Sequence, residues 1–101
     1  MKTIIEGNSA SLKMKFYAPY RRAVIPDSVN YTAYDNGTGT VLVSNVIFEP
    51  DDFRYTLIIP PEVNNFFDPT KTEEYRKIIV SWTFDDDQSG ISSFIYKIKA
   101  V

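Results

Sequence analysis

The chain has 101 residues, 44% of them hydrophobic and 24% charged, with a net charge of −2, which describes one globular domain over residues 1–101 and excludes a disordered chain. It contains no cysteine and no histidine, so disulfides, thiolate chemistry and the usual general base and zinc ligand are all absent. No apolar run approaches the roughly 18 residues of a membrane helix, and the Met1–Ile5 start lacks a secretory apolar region.

Most of the chain alternates with period two, the pattern of strands half-buried on one face. Thr3–Glu6 is a short β-rich run. Leu12, Met14 and Phe16 then alternate with Lys13, Lys15 and Tyr17. The connection Ala18–Asp27 carries Pro19 and Pro26 and leads to a strand with Val29, Tyr31 and Ala33 on one side and Asn30, Thr32 and Tyr34 on the other. Asp35-Asn36-Gly37-Thr38-Gly39 predicts a tight hairpin, with Asn36-Gly37 supplying the positive φ. Thr40–Phe48 alternates less cleanly, and a kink is expected near Ser44-Asn45. After Glu49-Pro50-Asp51-Asp52 come Phe53, Tyr55, Leu57 and Ile59 on one face, then the long loop Pro60–Glu74, in which Val63–Phe67 could form one helical turn. Ile78, Val80, Trp82 and Phe84 form the next apolar stripe, a hairpin at Asp85–Gly90 follows, and Phe94, Tyr96 and Ile98 close the chain. All six prolines fall outside strand interiors.

Seven short strands without a helix predict an all-β, antiparallel β-sandwich, with a small closed barrel as the rival. The sandwich is favoured because Ala18–Asp27 and Pro60–Glu74 are long enough to cross between two sheets. The expected core is Leu12, Met14, Phe16, Val29, Tyr31, Leu57, Ile59, Ile78, Val80, Trp82, Phe94, Tyr96 and Ile98.

The residues offer little for catalysis. Without His or Cys, an enzyme would need paired carboxylates, a Ser-Lys dyad or an oxygen-bound metal, and the candidate carboxylates sit in turns. The expectation is a protein that is not an enzyme, with no catalytic residue, cofactor or metal. Asp85-Asp86-Asp87 with Asp51-Asp52 or Asp35 has calcium-like chemistry but not EF-hand spacing, and a solvated hairpin tip is the expected reading. Trp82 shares its face with core residues, which leaves Tyr17, Tyr20, Tyr34 and Tyr75 as the aromatics able to stack on a sugar. Charge is unevenly spread: residues 1–22 sum to +4, residues 23–53 to −5 and the remainder to −1. That asymmetry suits polar docking, or mutual neutralisation within the domain. In the apolar loop, one of Phe66 and Phe67 is expected to cap the sandwich and the other to stand exposed.

The stretch Ile25-Pro26-Asp27-Ser28-Val29-Asn30-Tyr31-Thr32-Ala33-Tyr34-Asp35 resembles the middle of small immunoglobulin-like domains of tailed-bacteriophage structural proteins. Tyr55-Thr56-Leu57-Ile58-Ile59-Pro60, Asn64, Glu74, Arg76 and Ile78-Ile79-Val80-Ser81-Trp82 are similar to their later half, so the resemblance spans about residues 12–100. The antibody-type cysteine pair is missing. The resemblance implies an immunoglobulin-like or fibronectin-III-like sandwich and a virion location. It implies a capsid decoration, neck, tail or fibre subunit, docked in many copies on other virion proteins. The net charge of −2 asks for no nucleic-acid partner, and the lack of a long apolar run gives the expectation of no membrane insertion. A carbohydrate- or cell-surface-binding module, with a host glycan as partner, is the alternative. The contact is expected to use Phe66 or Phe67, with Arg21, Arg22 and Tyr20.

Overall fold

The computed structural model describes residues 2–18, 22–23, 25–84 and 89–100. Among these the strands are β1 (Thr3–Ile5), β2 (Ala10–Lys15), β3 (Tyr17–Ala18), β4 (Arg22–Ala23), β5 (Ser28–Asp35), β6 (Val41–Phe48), β7 (Arg54–Ile59), β8 (Glu73–Thr83) and β9 (Ser89–Lys99). The all-β expectation holds. The principal sheet has the order β1-β9-β8-β5-β6, the second is β2-β7, and β3 and β4 pair antiparallel over two residues each. The described strands do not close into a barrel. Ladders are antiparallel except β1, which runs parallel to β9 with Ile4 opposite Ile98.

Both long connections cross between the sheets, from β2 to β5 and from β7 to β8. The core lies where β2-β7 covers the principal sheet. Leu12 and Phe16 meet Val29, Tyr31, Leu57, Ile59, Ile78, Val80, Tyr96 and Ile98, all buried. Met14, Trp82 and Phe94 pack against this cluster from partly buried positions, and Ile4, Ala10, Ala33 and Val63 complete it. Phe16 meets the Trp82 ring edge-on at 5.4 Å between centroids, a favourable quadrupole arrangement.

Local irregularities follow their residues. Opposite β5, the register slips by one residue between Val46 and Val43, where Asn45 adopts φ 51° and donates its N–H to Thr32 Oγ1. This is the kink expected at Ser44-Asn45, and Asn tolerates the left-handed region better than most residues. In the β5–β6 turn the positive φ belongs to Gly39 (76°) rather than to Asn36-Gly37. The five-residue turn is closed instead by Asp35, whose Oδ2 accepts from the Thr38 N–H and hydroxyl at 3.1 and 2.7 Å. The helical turn of the long loop is a 3-10 turn over Pro61–Asn64.

Candidate functional site

The core stripe of β8 extends further toward its N-terminus than Ile78. Glu74 and Arg76 share the inward face with Ile78 and Val80, as alternation requires. Asp35 continues the stripe of β5, and the ladders put Asp35, Arg76 and Tyr96 in one cross-strand row. Arg76 is fully buried (0% exposed). Its Nε donates to the Val63 carbonyl at 2.8 Å and its Nη2 to the Asn65 carbonyl at 2.6 Å. Nη1 pairs with Asp35 Oδ1 and Nη2 with Glu74 Oε1, both at 2.9 Å. The planar fork supplies enough donors for all these acceptors at once, which a lysine could not.

Glu74 then holds the loop from the other side. Its two oxygens accept the backbone N–H groups of Phe67 and Asp68 at 2.8 and 2.7 Å. Tyr96 donates its hydroxyl to Asn64 Oδ1 at 2.6 Å, and Asn64 Nδ2 donates to the Asn8 carbonyl at 2.8 Å. Burial pushes the Tyr96 hydroxyl up to about 12, against the opposing influence of the nearby Arg76 charge. At the surface of the loop, hydrogen bonds from the Thr70 hydroxyl and N–H hold the Asp68 carboxyl below its ordinary range. A buried ionic network of this kind fixes geometry more than it adds net stability. Here it locks a loop with little regular structure of its own onto the end of the sandwich.

That loop presents the expected contact residues. Phe66 packs against the core, whereas Phe67 is 52% exposed. Arg22 is in β4, paired with Ala18. The β3-β4 hairpin follows the Lys15 end of β2 and leads into the Ser28 end of β5, whereas the Phe67 loop leaves the Ile59 end of β7 and enters the Glu73 end of β8. Arg22 and the phenylalanines therefore stand at opposite ends of the domain and do not form one patch. Tyr20 and Arg21, like the Asp85–Asp87 tip, lie outside the described residues. Tyr34 and Tyr75 are half-buried on the outer face of the principal sheet, while Tyr17 is exposed at the far end, so these three form no common platform. Asp35 is an ion-pair partner of Arg76 rather than a solvated turn carboxylate. Among the described residues no group of three or more acidic side chains is arranged to hold a metal ion.

Two surfaces were not foreseen. The outer face of the principal sheet carries cross-strand rows Ile91–Ser81–Asn30–Ile47 and Ile95–Lys77–Tyr34–Val41, with Ile79 between them. Ile91 and Ile47 are 70% and 72% exposed. Neither row contains an acidic residue. On the outward face of the second sheet, Lys13 and Lys15 lie opposite Thr56 and Arg54. The Arg54 guanidinium lies 5.2 Å over the Phe53 ring. The exposed Glu49, Asp51 and Asp52 precede Arg54 directly, yet none forms an ion pair with this basic group among the described residues.

Comparison with known proteins adds no relative: no family model, curated protein or solved structure matches the chain.

Proposed function

We propose that this protein is a non-enzymatic docking subunit, one copy among many on a larger particle of the phage-virion type. The observation that carries the reading is the outer face of the principal sheet. Large apolar side chains (Ile91, Ile95, Ile47 and Val41) stand in water there on a rigid, twisted platform. They flank a central strip of Ser81, Asn30, Lys77 and Tyr34, and apolar side chains interleaved with polar ones in this way are the usual chemistry of a protein contact. Phe67, presented by a loop locked from beneath, offers a second anchor of the aromatic kind that dominates interface energetics.

The strand order supports an immunoglobulin-like reading of the sandwich. An edge strand parallel to the last strand, a β5–β6 hairpin on the same sheet and β2 beside β7 on the other fit that layout. Such a domain needs no catalytic group to act as a decoration or adaptor.

The test is co-sedimentation of the tagged protein with particles from the cells that produce it, comparing wild type with Ile47→Lys and Ile91→Lys. Attachment falling tenfold or more in folded variants supports the proposal. Undiminished attachment of both variants removes the outer face from it, and absence of the wild-type protein from any particle refutes it.

A further inference from the structure

Among the described residues the second sheet has two strands, so β2 has β7 on one side and an open edge on the other. The Phe16 N–H reaches the Phe53 carbonyl across from β7, which fixes the parity of the ladder. Even-numbered residues of β2 bond to β7. Ser11, Lys13 and Lys15 therefore turn their N–H and C=O groups toward the open edge. The Ser11 carbonyl has found a donor there, but it is the Lys2 ammonium rather than a backbone N–H. Across the gap, β1 covers β9 only at Lys97–Lys99, which leaves the Ser89–Tyr96 edge open as well.

Between these two edges runs a groove. One section, about 250 Å³, has an apolar floor of Met14, Phe16, Val80, Trp82 and Phe94 under Lys13 and Lys15. It shares Lys13 and Phe94 with a second section of about 490 Å³ that reaches Lys2 and Ser11. Trp82 Nε1, belonging to a ring that lines the first section, is buried without a hydrogen-bond partner among the described residues. Such an orphaned donor is uncommon in a finished interior. No acidic residue lines either section, and Lys2, Lys13 and Lys15 form no ion pair among the described residues.

We infer that this groove takes an extended acidic peptide segment of a partner protein, added to the open edge of β2 as a further strand. The register rule fits the two chemistries together. On an added strand, side chains on the inward side face Trp82 and Phe94 and must be apolar. The alternate ones face outward beside Lys13 and Lys15 and must be carboxylates. The six residues of β2 set the length of the segment at about six, or roughly 20 Å. Among the described residues of a second copy, no edge strand carries the acidic residues that such a segment needs. The open-edged β6 carries no acidic residue, and the exposed Glu49, Asp51 and Asp52 flank Pro50 in a loop. The inference rests on the docking reading and names the partner's chemistry.

The probe is a blocked hexapeptide of alternating valine and glutamate, titrated against the full chain and compared with the valine–lysine peptide. Trp82 is the single tryptophan, so its emission reports the groove directly. The expected result is a saturable emission change, at least tenfold tighter for the glutamate peptide. Amide exchange at Lys13 and Lys15 should slow at least tenfold. Lys13→Glu with Lys15→Glu should reverse the preference between the two peptides. Equal affinity for both peptides, no saturation, or protection confined to other strands overturns the inference. Slowed exchange at Lys13 and Lys15 with rising protein concentration alone would assign the edge to a second copy and overturn it too. Particle attachment that survives these groove variants but not Ile47→Lys separates failure of the groove from failure of the docking reading.

Discussion

Replacing Arg76 by methionine keeps most of the side-chain volume and removes every polar contact of the guanidinium. The carbonyls of Val63 and Asn65 lose their donors, and the carboxylates of Asp35 and Glu74 are left close together without a cation between them. Asp35 retains Thr38, and Glu74 retains the N–H groups of Phe67 and Asp68, so part of each charge stays solvated by the protein. Removing one member of a buried ion pair costs about 3–5 kcal/mol, a large share of the ~5–15 kcal/mol of a domain this size. At about 4–8 °C per kcal/mol, the melting temperature should fall by at least about 12 °C. Urea unfolding followed by far-UV circular dichroism measures the loss, and amide exchange at Phe67 and Asp68 shows whether the loop is released first. Glu74→Gln added to Arg76→Met removes one of the two stranded charges and should recover part of the loss. A cost below about 1 kcal/mol with unchanged exchange at Phe67 and Asp68 would refute the claim that Arg76 holds the loop.

A Cβ at Gly90 would overlap the Nε1–Cε2–Cζ2 edge of the Trp82 indole, so Gly90→Ala should destabilise by about 1–3 kcal/mol and shift the Trp82 emission. Tyr96→Phe leaves Asn64 Oδ1 buried without its donor and should cost about 1–3 kcal/mol in denaturant titrations. Burial raises the Tyr96 hydroxyl from 10 to about 12 in the folded state, so the folded chain keeps a proton that the unfolded chain loses. Stability should therefore be level below pH 10 and fall by roughly 3 kcal/mol as pH rises to 12, with Tyr31, also raised by burial, contributing in the same direction. Tyr96→Phe should flatten that decline. Phe67→Ala should leave stability within about 0.5 kcal/mol, because the ring is half in water, while weakening particle attachment.

The sandwich was legible because the burial signal has period two and recurs along the chain. Val29, Tyr31 and Ala33, then Tyr55, Leu57 and Ile59, then Phe94, Tyr96 and Ile98 all face inward, and the two long connections have the length of crossings. The buried network is less legible because the apolar alternation ends at Ile78 on β8 and at Ala33 on β5, short of its charged members. Counting back two and four residues from Ile78 puts Arg76 and Glu74 on the inward face, and one more step from Ala33 does the same for Asp35. The signal was present, but a charged residue at an inward position invites a change of register rather than a buried partner. Pairing Arg76 with Asp35, 41 residues earlier, needs the β5–β8 ladder, which local pattern does not encode. The separation of Arg22 from Phe67 is likewise a consequence of strand direction. The outer apolar face was hidden for the opposite reason: Ile47, Ile91 and Ile95 occupy positions where polar residues are expected, and isolated exposed isoleucines carry no meaning until the ladders align them.

Counting copies on the particle tests the central claim most directly. Quantitative mass spectrometry of purified particles from the producing cells, set against a known structural protein of the same particle, gives that number. The docking account predicts a fixed stoichiometry of many copies per particle, lost when Ile47→Lys and Phe67→Ala are combined in a folded variant. A protein found free in solution, absent from every particle and unchanged in behaviour by those substitutions would contradict it.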